Sequence, residues 1–84
     1  MGAWGEVRAS AEDRTSGAAE IARRAAEALA ALPRNDLEEA VRTLVRGHPS
    51  MAPLWRLGSE VLASDDHAHA AGRFAARLVA EQIG

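Results

Sequence analysis

Apolar residues recur every three or four positions along most of the chain, as they do in helices that bury one face. This pattern predicts helical segments at residues 3–12, 17–32, 36–46, 51–63 and 66–83. No segment alternates apolar and polar residues in the way that a half-buried strand does. Because the segments are joined by short loops, we expect an all-α fold, an antiparallel bundle of about five helices.

Capping and turn-forming residues mark the ends of these segments. The candidate N-caps, whose side chains can accept free backbone N–H groups, are Thr15 or Ser16, Asn35, Ser50, and Ser64 or Asp65. Pro33 and Pro49 prevent the second and third segments from continuing, since proline disfavours helix in the preceding residue. Gly58, within the fourth segment, predicts a close approach by a neighbouring helix.

The length of 84 residues fits one domain, residues 1–84. The chain has no cysteine, which excludes a disulfide, a thiolate metal site and a cysteine nucleophile. No apolar stretch reaches the roughly 20 residues of a membrane span, and no signal-peptide pattern stands at the N-terminus. We therefore predict a cytoplasmic protein without membrane contact.

The net charge is −2, and all ten basic residues are arginines interspersed with acids. No basic stripe for nucleic acid results. The third and fourth segments (residues 36–46 and 51–63) could be read as a helix-turn-helix. The second of these would be the recognition helix, but it holds one arginine and carries Leu54 and Trp55 where polar base-reading side chains would be needed. We predict that the chain does not bind DNA.

A cluster of Asp65, Asp66, His67 and His69 is the one candidate metal site. The two histidines are spaced i,i+2 and would not share a helix face, so we favour an acidic helix start with exposed imidazoles. The spacing supports no Ser-His-acid set. We predict no metal, no cofactor and no catalytic residue, and hence that this chain alone is not an enzyme.

Two helix starts contain the residues best suited to hold an anion. A helix N-terminus presents free N–H groups that bind phosphate, and both starts add hydroxyls and basic side chains. The candidate ligand-binding residues are Arg14, Ser16, Gly17, Ala18, Arg46, His48, Pro49 and Ser50. If both starts lie at the same end of the bundle, they converge on one anion; the alternative, which the residues alone favour, is plain helix capping.

The same two stretches resemble a known family. Residues 13–29 (DRTSGAAEIARRAAEAL) are similar to a helix start near the N-terminus of the translation initiation factor 2B alpha/beta/delta family. That family includes methylthioribose-1-phosphate and ribose-1,5-bisphosphate isomerases. Residues 47–62 (GHPSMAPLWRLGSEVL) resemble the Arg-Pro-Thr motif of these isomerases. The resemblance implies an N-terminal helical domain that forms one wall of a phosphosugar or nucleotide pocket, or that serves regulatory assembly.

In that family the catalytic Cys and Asp belong to a C-terminal Rossmann-like domain, so the resemblance implies such a domain or a partner chain. Ser16 and His48 stand where the isomerases have arginine, and Arg14 and Arg46, two residues upstream, are the candidates to replace it. The alternative function is a small helical protein-interaction or self-association module, including a homo-oligomer. Exposure of Trp4 or Trp55 would support it.

Overall fold

The computed structural model describes residues 2–83, and the side chains of residues 2–80. The α-helices are α1 (Ala3–Glu12), α2 (Ala18–Ala31), α3 (Leu37–Gly47), α4 (Ala52–Ala63) and α5 (His67–Ile83), with a short 3-10 helix (Arg34–Asp36) before α3. Residues 2–83 contain no strand. The predicted all-α bundle is confirmed, and the predicted helix ends lie within one residue of the observed ones.

Helix α2 is the centre of the bundle, because it packs against each of the other four α-helices. Its buried residues are Ile21, Ala22, Ala25, Ala26, Ala28 and Leu29. Alanine side chains bury little area but let neighbouring helices approach closely. The larger buried side chains therefore come mostly from the surrounding helices, among them Leu37, Leu57 and Phe74.

Two glycines are placed where helices meet closely. The predicted close approach at Gly58 is confirmed: a Cβ built there would lie 2.5 Å from Cγ1 of Val41 in α3. A Cβ at Gly47 would overlap the carbonyl oxygen of Ala11 and lie 2.9 Å from its Cα. Gly47 therefore lets the last turn of α3 lie directly on the backbone of α1.

The predicted N-caps are wrong for α2, α3, α4 and α5. The residues that precede α2, α3 and α4 are Gly17, Asp36 and Met51, and none of them makes a side-chain cap hydrogen bond. Before α2, Asp13 accepts the N–H groups of Thr15 and Ser16, which draws both residues into a turn outside the helix. Before α3, Asn35 lies inside the 3-10 helix and is therefore not the residue that precedes α3.

Helix α5 is capped one residue later than predicted. Asp66 Oδ1 accepts the N–H of His69 at 3.1 Å, and the Asp66 carbonyl accepts the N–H of Ala70. Ser64 Oγ instead accepts the N–H of Asp66, forming a turn before the helix. Among residues 2–83, no helix has both the length and the apolar character needed to cross a membrane.

Candidate functional site

The two helix starts singled out in the sequence lie beside each other. A shallow hollow of about 410 Å³, widely open to solvent, is lined by Ala18, Gly47, His48, Pro49, Ser50 and Met51. The start of α2 and the loop before α4 thus share one surface depression. Four of the predicted ligand-binding residues come together there: Ala18, His48, Pro49 and Ser50.

The other four predicted residues, Arg14, Ser16, Gly17 and Arg46, do not line this hollow. The Arg14 guanidinium donates to the carbonyl oxygen of Ala11 at 2.9 Å and to that of Asp13 at 3.3 Å. Arg46 lines a separate groove between α3 and α4. The two arginines expected to grip a phosphate therefore point to other parts of the molecule.

The carboxylate of Asp13 already accepts the backbone N–H groups just before α2. Asp13 Oδ1 accepts the N–H of Thr15 at 2.8 Å and that of Ser16 at 2.9 Å, and Oδ2 is 3.1 Å from the Arg24 guanidinium. The hydrogen bond from the Ser16 N–H is the largest of the effects that hold the pKa of the Asp13 carboxyl well below its usual range. Asp13 is therefore a fixed negative charge that already uses N–H groups which an anionic ligand would need.

His48 holds the loop between α3 and α4 against α1. Its Nε2 is 2.8 Å from the carbonyl oxygen of Ser10, and since a carbonyl only accepts, Nε2 carries the proton. The Ser10 carbonyl lies in the last turn of α1, where it accepts a long hydrogen bond from the Asp13 N–H at 3.4 Å, and His48 supplies it with a second donor. The same loop is tied to α4, where Trp55 Nε1 donates to the Pro49 carbonyl at 3.0 Å. His48 thus has a structural contact whether or not the hollow binds a ligand.

The cluster at the start of α5 has a similar structural explanation. His67 Nε2 donates to the carbonyl oxygen of Leu32, the residue that follows α2, at 2.7 Å. His67 is partly buried and His69 exposed, so the expectation of two exposed imidazoles is wrong for His67. Within the described residues, no three His, Asp or Glu side chains are close enough together to hold a metal ion.

A further hollow, of about 710 Å³, lies between α1 and α2 and is lined by ion pairs. Arg23 is 2.5 Å from Glu20 and 2.7 Å from Glu27, and Arg24 is 3.1 Å from Asp13. Each guanidinium is already matched with carboxylates of the same chain. This surface is a solvated ion-pair network in which neither guanidinium is left free for an anionic ligand.

A more apolar depression runs between α3 and α4, which we call the α3–α4 groove. It encloses about 370 Å³, and its lining residues are Val41, Val45, Trp55, Gly58, Ser59 and Leu62, with Glu38, Arg42 and Arg46 beside them. Trp55 is 54% exposed and Leu62 is 38% exposed. Sequence reasoning named Trp55 but missed the groove, whose signal is that Val41 and Val45 widen the apolar stripe of α3.

The other tryptophan is only partly exposed. Trp4 Nε1 is 3.3 Å from the Asp36 carboxylate, and the Arg8 guanidinium lies 5.8 Å from the centroid of its ring. Its ring also packs against the buried core. Of the two tryptophans, Trp55 is therefore the one whose ring is available to another molecule.

Comparison with known proteins gives no identification. The sequence matches no family model and no curated protein, and the fold matches no solved structure.

Proposed function

We propose that this chain is a helical interaction module that binds another polypeptide through the α3–α4 groove. The observation that carries the proposal is the exposure of Trp55 and Leu62 beside Val41 and Val45 in one apolar depression. Single exposed apolar residues are ordinary, but a continuous apolar surface with a tryptophan and flanking charges is typical of a binding site. We assign this binding to the cytoplasm.

The groove is also preorganised. The Trp55 indole donates to the Pro49 carbonyl at 3.0 Å, so one edge of its exposed ring is fixed to the backbone. Gly58 and Val41, which also line the groove, pack tightly against each other and hold α3 against α4. A partner that docks on a fixed aromatic ring loses less conformational entropy than one that must order a mobile side chain.

The first test is affinity purification from the native cells with two matched variants. Leu62→Ser places a hydroxyl in the groove, whereas Val79→Ser makes a comparable change at an exposed apolar residue on α5, 43% exposed in the folded chain. We expect polypeptides retained by the wild type and by Val79→Ser to be lost with Leu62→Ser. Equal retention by all three proteins, or retention by none together with a monomeric wild type at high concentration, would contradict the proposal.

A second candidate function follows from the family resemblance. We propose that the chain could serve as the N-terminal helical domain of an initiation factor 2B-like or sugar-phosphate isomerase-like protein, with its catalytic residues on another domain or chain. The supporting observation is that Ala18 and residues 48–50 share the hollow of about 410 Å³. The positions of Arg14 and Arg46 leave backbone N–H groups and Ser50 as the groups that would contact a phosphosugar or nucleotide.

A titration of the chain with ribose 5-phosphate and with adenosine monophosphate, followed by amide NMR, tests this second candidate. We expect saturable shifts at Ala18, His48 and Ser50, which line the hollow, and the Trp55 fluorescence should respond because its indole donates to the Pro49 carbonyl. Ribose without phosphate is the control and should leave these amides unchanged. Unchanged amides at millimolar phosphosugar would contradict a retained phosphate-binding wall.

A further inference from the structure

We propose that the partner of the α3–α4 groove is an acidic amphipathic helix, which presents apolar side chains to the groove and carboxylates to the arginines of α3. The inference rests on the proposed function, because it states the chemistry of the polypeptide that the same groove binds. It is carried by the charges on the two walls of the groove and by the helical backbone of those walls.

The charges of the groove all lie on one wall. The wall from α3 carries Glu38, Arg42 and Arg46, each four residues, or about one helical turn, after the one before. The rim therefore has a net charge of +1, from one acid and two arginines, on a chain whose net charge is −2. A partner with carboxylates along its edge next to α3 complements this rim. The lining residues from α4 are all uncharged: Trp55, Gly58, Ser59 and Leu62.

Both arginines are available to a partner. Arg46 is exposed, and among the side chains that the structure describes, those of residues 2–80, it has no hydrogen-bond or ion-pair partner. Arg42 is 3.7 Å from Glu38, and the two side chains are 58% and 79% exposed. An ion pair so exposed contributes little to stability, so Arg42 exchanges it for another carboxylate at small cost. Two carboxylates spaced i,i+4 on a neighbouring helix match the spacing of the two arginines.

The backbone of the two walls favours a helical partner over an extended one. Both walls are α-helices, so the N–H and C=O groups along the groove are already hydrogen-bonded within α3 and α4. An extended segment would lay its own N–H and C=O groups on apolar side chains that cannot pair with them. A helix satisfies these groups internally and docks through side chains at i, i+3 or i+4, and i+7.

The length of the groove sets the size of the contact. Helix α3 has 11 residues and α4 has 12, so each is about 17 Å long. A docked helix of about three turns covers this length and places three apolar side chains over Val41, Val45, Leu62 and the exposed ring of Trp55. Because such an interface is small, we expect a dissociation constant on the order of tens to hundreds of micromolar.

Fluorescence anisotropy with two matched model peptides tests the inference. Both are fluorescein-labelled, end-capped helical peptides of about 15 residues with leucines at i, i+4, i+7 and i+11, and they differ only in having glutamates or lysines beside the leucines. We expect the wild type to bind the glutamate peptide about tenfold more tightly than the lysine peptide at low salt. The difference should shrink in about 0.5 M NaCl, because salt screens exposed charge pairs.

Variants of two exposed arginines locate the contact. R46Q removes a charge at the groove, whereas R73Q removes a charge on α5, beside a different depression. We expect R46Q to bind the glutamate peptide about two- to fivefold more weakly than the wild type, and R73Q to bind it equally well. Leu62→Ser should weaken the binding of this peptide through the loss of apolar contact. Circular dichroism checks that each variant keeps its helices.

A lysine peptide that binds as tightly as the glutamate peptide, or an R46Q variant that binds as tightly as R73Q, would overturn the acidic partner. If binding were still lost with Leu62→Ser, the groove would remain a binding site and the proposed function would stand.

Binding of neither peptide at millimolar concentration would also overturn the acidic helix as the partner. The Leu62→Ser purification then separates the two proposals. A polypeptide lost only with Leu62→Ser leaves the groove as a site for a partner of different chemistry, whereas the absence of any such polypeptide removes the proposed function as well.

Discussion

Replacing Leu57 by alanine is expected to lower the free energy of unfolding by about 2–5 kcal/mol, because a fully buried leucine leaves a cavity that the surrounding helices fill only in part. Leu57 lies in the middle of α4 and is 0% exposed. A domain of this size has a total stability of roughly 4–13 kcal/mol. The variant should therefore be close to unfolding, as measured by urea denaturation followed by far-ultraviolet circular dichroism.

Leu62→Ala is the matched control, since it makes the same chemical change one and a half turns further along the same helix. The Leu62 side chain is 38% exposed and borders the groove. We expect its loss to cost less than about 1 kcal/mol of stability while it weakens association. If the two variants were equally destabilised, Leu62 would be a core residue, and the groove would lose its main support as a docking surface.

The helices were predictable because each depends on a local signal. The 3.6-residue apolar period locates a helix, and the prolines at residues 33, 49 and 53 limit where it begins or ends. The N-caps were not predictable from equally local rules. Ser16 stands where a cap belongs, but the Asp13 carboxylate competes for its N–H group, and Gly17 becomes the residue before α2. Which polar group takes a given N–H depends on the path of the loop.

Tertiary structure decides which groups the basic candidate ligand-binding residues contact. Arg14 and His48 were chosen as anion ligands because they stand near helix starts, yet both donate to carbonyls in the last turn of α1. His67 and Arg34 do the same for the ends of α2 and α4, through the carbonyls of Leu32 and Leu62. Helix C-termini attract basic donors as strongly as helix N-termini attract anions. The sequence does not show which terminus will lie near which arginine or histidine.

The sequence signal of the α3–α4 groove can be interpreted only when the packing of the helices is known. The apolar residues of α4 lie on two sides of the helix. Leu54, Leu57 and Val61 are buried, whereas Trp55 and Leu62 are exposed. A stripe this wide predicts a helix covered on two sides. Helices α2, α3 and α5 pack against α4 and leave Trp55 and Leu62 of this stripe exposed.

Replacing Gly47 by alanine is expected to lower the free energy of unfolding by about 1–3 kcal/mol, although alanine is the better helix former. The new Cβ would overlap the carbonyl oxygen of Ala11 and lie 2.9 Å from the Ala11 carbonyl carbon. Because the three nearest atoms all belong to the Ala11 backbone, which cannot rotate away as a side chain can, α3 must move away from α1. That movement would also lengthen the hydrogen bond from His48 to the Ser10 carbonyl.

Gly72→Ala is the control for this substitution, because it also removes a helical glycine. A Cβ at Gly72 meets nothing within 4 Å, and the residue lies inside α5. Because no contact opposes the new methyl group, the higher helix propensity of alanine is the main effect. We expect this variant to be more stable than the wild type by about 0.5–1 kcal/mol. Thermal unfolding of both variants should give midpoints on opposite sides of the wild type. A Gly47→Ala midpoint at or above that of the wild type would show that α3 and α1 can separate without cost, and the close contact at Gly47 would then not be what positions the loop that holds His48.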